Sequence, residues 1–272
     1  MECISKAWKP HDFKDISLFK ASFKQFQYTK HWHDELAIGI ILEGTEGIDY
    51  CGNKLTTGKG EVIALNPSEV HTGFTCDEQG WSYRMFYFDM DFLADTLDSI
   101  HYKGQPFIEH PIISDKYIYK ALIQLHQSFE NTCFTLSRET LLLETLQSLY
   151  SRYGSNKNRS GKYNFDSYKN AQVRQFLHDD FAQNISLDDL CQLTGMKKHQ
   201  IIRNFKSEFN ITPHQYMIIT KINQVKKLLD QNENITEASL KCGFFDLSHM
   251  SRNFKKVFGV SPGIYKNGLS YS

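Results

Sequence analysis

Hydrophobic positions change their spacing along the chain, and the change predicts two different architectures. Up to about residue 110 (taking the run of turn signals as the limit), apolar residues cluster in short runs rich in β-branched and aromatic side chains: LAIGIIL (36–42), TEGIDY (45–50), EVIAL (61–65) and SYRMFYFD (82–89). Glu43-Gly44, Cys51-Gly52-Asn53, Gly58-Lys59-Gly60 and Asn66-Pro67-Ser68 punctuate them as turn signals. Many short strands so spaced predict an all-β barrel or sandwich. The period then becomes helical. Ile118, Leu122, Leu125 and Phe129 form one stripe, and Leu142, Leu146, Leu149 and Tyr150 form another. Leu141, Leu142 and Leu143 make the second segment apolar on more than one face, which fits packing on the barrel with either a second subunit or the same core on its other side.

The stretch GSNKNRSGKYN (154–164) has almost no apolar residue and reads as an exposed linker. Domain limits of 1–153, 154–166 and 167–272 follow. Beyond the linker the pattern is helical throughout. Val173, Phe176, Leu177 and Phe181 share a stripe; Ser186 with Asp189 forms an acidic capping box; Thr194-Gly195 ends that helix. Ile201, Phe205 and Phe209 mark the next helix. A long helix carries Ile218, Ile222, Val225 and Leu229 over roughly 214–230. Asn234 with Glu237 and then Gly243 repeat the cap and the break, before a helix with Met250, Phe254 and Phe258.

That recurrence is an internal repeat. RNFKSEFNITPHQY (203–216) aligns without gaps to RNFKKVFGVSPGIY (252–265), with Arg, Asn, Phe, Lys, the second Phe, Pro and Tyr identical. Each copy is a capped short helix, a Gly break and a longer helix with basic residues, the pattern of a helix-turn-helix. Arg203 and Lys206, like Arg252 and Lys255, lie three residues apart on one helical face. Such a face supplies base-edge and phosphate contacts in a DNA reader.

Charge supports this. The 272-residue chain is neutral, with 31 basic and 31 acidic residues. Residues 167–272 hold 14 basic and 9 acidic, leaving 17 and 22 in residues 1–166, so a basic half is joined to an acidic one. The six cysteines are scattered without CxxC spacing, as in a protein with free thiols in the cytoplasm. No apolar run is long enough for a bilayer, and MECISKAWKPHDFKD lacks the core of a secretory signal. There is no GxSxG, P-loop, GxGxxG or HExxH, so no enzymatic activity is expected.

With ISLDDLCQLTGM (185–196), ITPHQY (211–216) and CGFFDLSHMSRNFKKVFGVSPGIY (242–265), residues 167–272 resemble the DNA-binding domain of the AraC/XylS family of bacterial transcription regulators. The resemblance implies seven helices and two helix-turn-helix units joined by a long helix. It also implies recognition helices in successive major grooves of double-stranded promoter DNA. The family's base-facing positions fall on His199, Gln200, Ile202 and Arg203, and on Leu247, Ser248, Ser251 and Arg252, with Lys206 and Lys255 beside them. The family's usual Ser or Thr caps are replaced by Lys197 and Phe245, with Asp246 a substitute cap for the second helix, and Ala238 stands where a bulky aliphatic is usual.

More weakly, residues 30–73 are similar to the cupin-type sensing domain of that family, through His-x-His-Asp-Glu, Glu43-Gly44, Gly58-x-Gly-Glu and Asn66-Pro-x-Glu-Val-His. The fold class expected is α+β and multidomain: a cupin-like barrel with two following helices, then an all-α double helix-turn-helix domain. His31, His33, Glu35, His71, Tyr83 and Arg84 are the effector-site candidates, with Tyr87 near them; alternation in a strand would put His31, His33 and Glu35 on one face. Three readings of this cluster stand: a polar effector pocket, a structural cluster, or a metal set. Metal-binding cupins place Glu four residues after the second His, whereas Glu35 is two after His33, so no metal or cofactor is expected. The function expected is effector-controlled transcription regulation, with a small molecule, RNA polymerase and a second copy of the chain as further partners. The alternatives are a metal-dependent cupin enzyme fused to a DNA-binding tail and an effector-free regulator controlled by protein contacts.

Overall fold

The computed structural model describes residues 4–130, 134–155, 165–183 and 185–270. Most of the linker expected at 154–166 lies outside them. The chain divides into two compact units, residues 1–27, 32–159 and 267–272 in one and 28–31 with 160–266 in the other.

The first unit is an antiparallel sheet backed by helices. Its strands are β1 (Ile4–Trp8), β2 (Ile16–Phe23), β3 (Leu36–Tyr50), β4 (Asn53–Gly58), β5 (Val62–Leu65), β6 (His71–Thr75), β7 (Trp81–Phe88) and the short β8 (Ile112–Ile113). The order is β1-β2-β7-β3-β5-β8, and β4 and β6 pair with the distal half of β3. The turn expected at Glu43-Gly44 is instead a bulge inside one long strand: the register of β3 on β7 shifts between Ile41 and Glu43. Gly44 has φ +73°, and a Cβ there would collide with the Gly80 carbonyl oxygen, so glycine lets the strand bend without ending. Beyond the bend β3 leaves β7 and β5 for β4 and β6. Cys51 and Gly52, at φ 50° and 84°, then form a true two-residue hairpin into β4.

Alternation assigns the two faces of this sheet. Leu18 of β2, Leu36, Ile38 and Ile40 of β3, and Phe86 and Phe88 of β7 pack against the helices α1 (Met90–Ser99), α2 (Lys116–Ser128) and α3 (Thr135–Tyr153), in one core with Leu93, Leu122, Leu146 and Leu149. Asp89 and Asp115 cap α1 and α2 by accepting from two backbone N–H groups each. Asn66 imitates a strand partner, donating to Ile108 O at 3.0 Å and accepting from Ile108 N at 2.9 Å. The opposite face is the inner one, described below.

Among the described residues the chain from 165 onward forms seven helices, as the resemblance implies: α4 (Phe165–Asp179), α5 (Leu187–Thr194), α6 (Lys198–Phe209), α7 (Pro213–Asp230), α8 (Ile235–Lys241), α9 (Leu247–Phe258) and α10 (Pro262–Ser270). Ser186 and Asp189 form the expected capping box, and Thr212 with Gln215 forms another, with Pro213 at the first helical position of α7. Val173, Ile201, Phe205, Ile222, Val225, Leu229, Met250 and Phe254 are buried. No helix among the described residues is long and apolar enough to cross a membrane.

Candidate functional site

The two repeat copies become α5–α6 and α8–α9. In each, the hydrophobic face is buried and the basic face is not. Ile201 and Phe205 of α6 are buried, while His199, Ile202, Arg203 and Lys206 are exposed and Gln200 is half-buried. Met250, Phe254 and Val257 of α9 are buried, while Leu247, Ser248, Arg252 and Lys255 are exposed and Ser251 is half-buried. The candidate DNA residues thus share the outer faces of two equivalent helices.

The helix starts differ as their sequences do. Lys197 provides no side-chain cap to α6; Gln200 compensates in part by accepting from the Lys197 N–H at 3.0 Å. Asp246 does cap α9, accepting from Ser248 N at 2.8 Å and His249 N at 3.2 Å. The same carboxylate lies 3.9 Å from the Arg252 guanidinium, both groups well exposed. Phe245, just ahead of this cap, is 95% exposed, with Leu240 and Leu247 also exposed on the same unit.

The sensory candidates separate into three environments. Residues 32–35 precede β3, so strand alternation does not set the faces of His33 and Glu35. His33 nevertheless turns inward: its ring lies 4.9 Å from that of His71 on β6 and 5.4 Å from that of Tyr87 on β7. Its Nδ1–H donates to Glu35 O at 2.7 Å, and that of His71 donates to Glu69 O at 2.8 Å, which fixes both tautomers. Glu35 therefore holds His33 through its backbone. His31 falls in the other compact unit, where its Nδ1–H donates to Thr29 O at 2.8 Å and its ring lies 5.8 Å from Tyr28.

Tyr83 and Arg84 are neighbours on β7 and so face opposite ways. Tyr83 looks inward, beside Phe19 and Phe23. Arg84 looks toward α2, where its Nη1 donates to His126 Nδ1 at 2.8 Å and to Glu130 at 2.7 Å, with Lys20 also 3.1 Å from Glu130. His126 is wholly buried between Trp8 and Phe86, edge to face with both. Burial and then the adjacent Arg84 charge push its pKa down to about 4. Among the described residues no three His, Cys, Asp or Glu side chains gather as a metal would require.

The inner face runs from the His33–His71–Tyr87 end, past Ile48 of β3 and Met85 of β7, to an aromatic end of which the sequence-based candidates included Tyr83 alone. There Phe23 stacks on Phe26 at 4.4 Å and contacts Trp81 at 5.3 Å, and Trp81 stacks on Tyr83 at 6.2 Å. Glu46 belongs to the same face, because the bulge resets the alternation to Gly44, Glu46, Ile48 and Tyr50. It is 7% exposed, and burial raises its pKa to about 8.

These geometries agree with what the chain is similar to. Residues 13–146 match the model of an AraC-like ligand binding domain, and residues 190–268 that of a helix-turn-helix domain. The HTH-type transcriptional regulator YbfI of Bacillus subtilis is 29% identical, over 89% of this chain and 87% of its own length. The Msm operon regulatory protein of Streptococcus mutans is 24% identical, over 87% of this chain and 85% of its own. Among solved structures, ToxT of Vibrio cholerae bound to an unsaturated fatty acid aligns at a TM-score of 0.56 and 15% identity, covering 94% of this chain and 96% of that one. The order of the two matched domains, the paired helix-turn-helix units and the full-length relatives place this chain in the AraC/XylS family of transcriptional regulators, with a ligand-binding domain ahead of its DNA-binding domain.

Proposed function

We propose that this protein is a cytoplasmic, non-enzymatic homodimer that reads a promoter through α6 and α9 and answers to a small molecule held inside its sheet. The observation that carries the reading is the repeated exposed face: Arg203 and Lys206 on α6, Arg252 and Lys255 on α9, each opposite a buried Phe of the same helix. His199, Gln200, Ile202 and Arg203 read one half-site, and Leu247, Ser248 and Ser251 the other, with Arg252 on the phosphate backbone beside them. Lys206 and Lys255 hold the phosphates, which position the helices without reading sequence.

In the sensory unit, His33, His71 and Tyr83 line the effector site, with Glu35 orienting His33. Arg84 ties the same strand to α2, so a shift of β7 on effector binding reaches the helices. Exposed Phe134, Leu136 and Leu143 at and along α3 support self-association. ToxT, with its bound fatty acid, supports a small-molecule effector here without naming it. RNA polymerase is the partner through which promoter binding acts.

Selection of duplexes from a randomised pool by the purified protein tests the reading. Enrichment of two half-sites about one helical turn apart is the expected result. Recovery of no common sequence contradicts it.

A further inference from the structure

Glu46 is an unusual residue to find on the inner face of the sheet. It is 7% exposed, and among the described residues no side chain hydrogen-bonds or forms an ion pair with its carboxyl. Its cross-strand neighbours are Thr57 of β4 and Thr75 of β6, and neither carries charge. The nearby titratable group is the Cys76 thiol, whose own ionisation Glu46 opposes. A carboxyl taken out of water without a partner is costly to keep, and in natural structures such groups are normally paired.

The surroundings say what would pair with it. Thr75, directly across from Glu46, exchanges hydrogen bonds with the Phe26 backbone through its Oγ1, at 3.1 and 3.2 Å. Phe26 begins the run of rings through Phe23 and Trp81 to Tyr83. Trp81 is fully buried, and its Nε1–H has no hydrogen-bond partner among the described residues. One end of the inner face therefore combines an acid with no countercharge and a wall of π-faces. Aromatic faces attract cations, and a carboxylate completes the attraction. An anionic ligand would set its charge against the negative faces of the rings and hold Glu46 further from ionising. A polyol would need polar partners on all sides, where this end offers ring faces beside Glu46, the Thr57 hydroxyl and the Trp81 N–H.

We propose that this end of the sheet receives the ammonium group of a small organic amine, which pairs with the Glu46 carboxylate while Phe23, Phe26, Trp81 and Tyr83 enclose its apolar body. The inference rests on the inner face being the effector site. Because Glu46 is held largely protonated near neutrality, binding an ammonium ion ionises it and sends its proton to solvent.

The test uses the full-length protein and three matched sets of probes: methylamine, n-butylamine and benzylamine, their alcohol counterparts and their carboxylate counterparts. At least one amine is expected to raise the melting temperature saturably, above its alcohol and carboxylate counterparts, because a ligand of the folded state stabilises it. Calorimetry of that amine at pH 7 in two buffers of different ionisation enthalpy is expected to show proton release. Glu46→Gln keeps the shape of the carboxyl and removes its charge; it is expected to weaken amine binding at least about tenfold, as loss of one member of a buried charge pair does. If an alcohol or carboxylate binds more tightly than its amine, or if Glu46→Gln responds as wild type does, the amine proposal falls while the effector reading stands. If no amine binds, the proposal also falls, and a broader metabolite screen by the same melting assay then decides whether the inner face binds an effector at all.

Discussion

The Lys221 ammonium on α7 donates to the Gly243 carbonyl at 3.0 Å, tying the long connecting helix to the break between α8 and α9. Lys221 is buried, lies 5.8 Å from the centre of the Phe244 ring and has its pKa lowered by burial. Gly243 sits at φ +70°, where a Cβ would strike the Ala182 carbonyl oxygen. The second recognition helix is thus positioned from two sides, by a lysine donor and by a backbone that only glycine tolerates.

Lys221→Met is expected to cost about 1–3 kcal/mol, because it leaves the carbonyl without its donor. Gly243→Ala is expected to cost about 2–3 kcal/mol through strain and collision. Urea unfolding of the full-length variants measures both. The double variant should lose less than the sum of the singles, as residues sharing one contact do.

Two buried titratable groups act in opposite directions on stability. His126 has its pKa lowered from 6.5 to about 4, so the unfolded chain binds its proton first and stability falls as pH drops through that interval. Glu46 has its pKa raised from 4.5 to about 8, so the unfolded chain releases its proton first and stability falls as pH climbs through that interval. Wild type should therefore show a shallow profile from about pH 4.5 to about pH 6.5, where the two opposite slopes overlap and cancel. Glu46→Gln removes one slope, and its stability relative to wild type should grow by up to about 3 kcal/mol from pH 5 to pH 7. His126→Gln, which keeps an acceptor for Arg84, should lose less than wild type on acidification from pH 6.5. Parallel profiles for all three proteins would contradict both assignments.

Arg203 and Arg252 occupy equivalent places but have different neighbours. His199 and Gln200 accompany Arg203; Leu247 and two serines accompany Arg252, which also has Asp246 at 3.9 Å. An exposed pair of that kind contributes little to stability. Arg203→Ala is expected to cost about 1–3 kcal/mol in DNA binding and to relax preference at one base pair. Arg252→Ala should cost less, evenly across sequences, and leave the melting temperature unchanged. Binding to operators randomised in both half-sites separates the two. Asp246→Ala, by contrast, removes a helix cap and should cost about 1 kcal/mol of stability.

What was readable in the sequence depended on how local its cause was. The capping of Ser186 with Asp189 and of Asp246 is decided within three residues, and the helical unit was legible nearly element by element. Glu43-Gly44 carried a true glycine signal, but whether a glycine turns a chain or bends a strand depends on which strands lie alongside it. Tyr83 and Arg84 looked like one cluster because they are adjacent, yet adjacency in a strand means opposite faces. Glu46 was hidden by the same bulge: only once the alternation is reset at Gly44 does its carboxyl fall on the inner face. A charged residue alternating with Ile48 and Tyr50 was the available signal. The pairing of Arg84 with His126 and Glu130, 42 and 46 residues away, had no local cause to read.

The most direct test of the account is the salt dependence of binding to a duplex selected by the full-length protein. With Lys206, Arg252 and Lys255 on phosphates, log affinity should fall linearly with log salt, at a slope of about −3 or steeper. Absence of DNA binding at low salt, or an affinity indifferent to salt, would contradict the assignment of α6 and α9 as the faces that meet DNA.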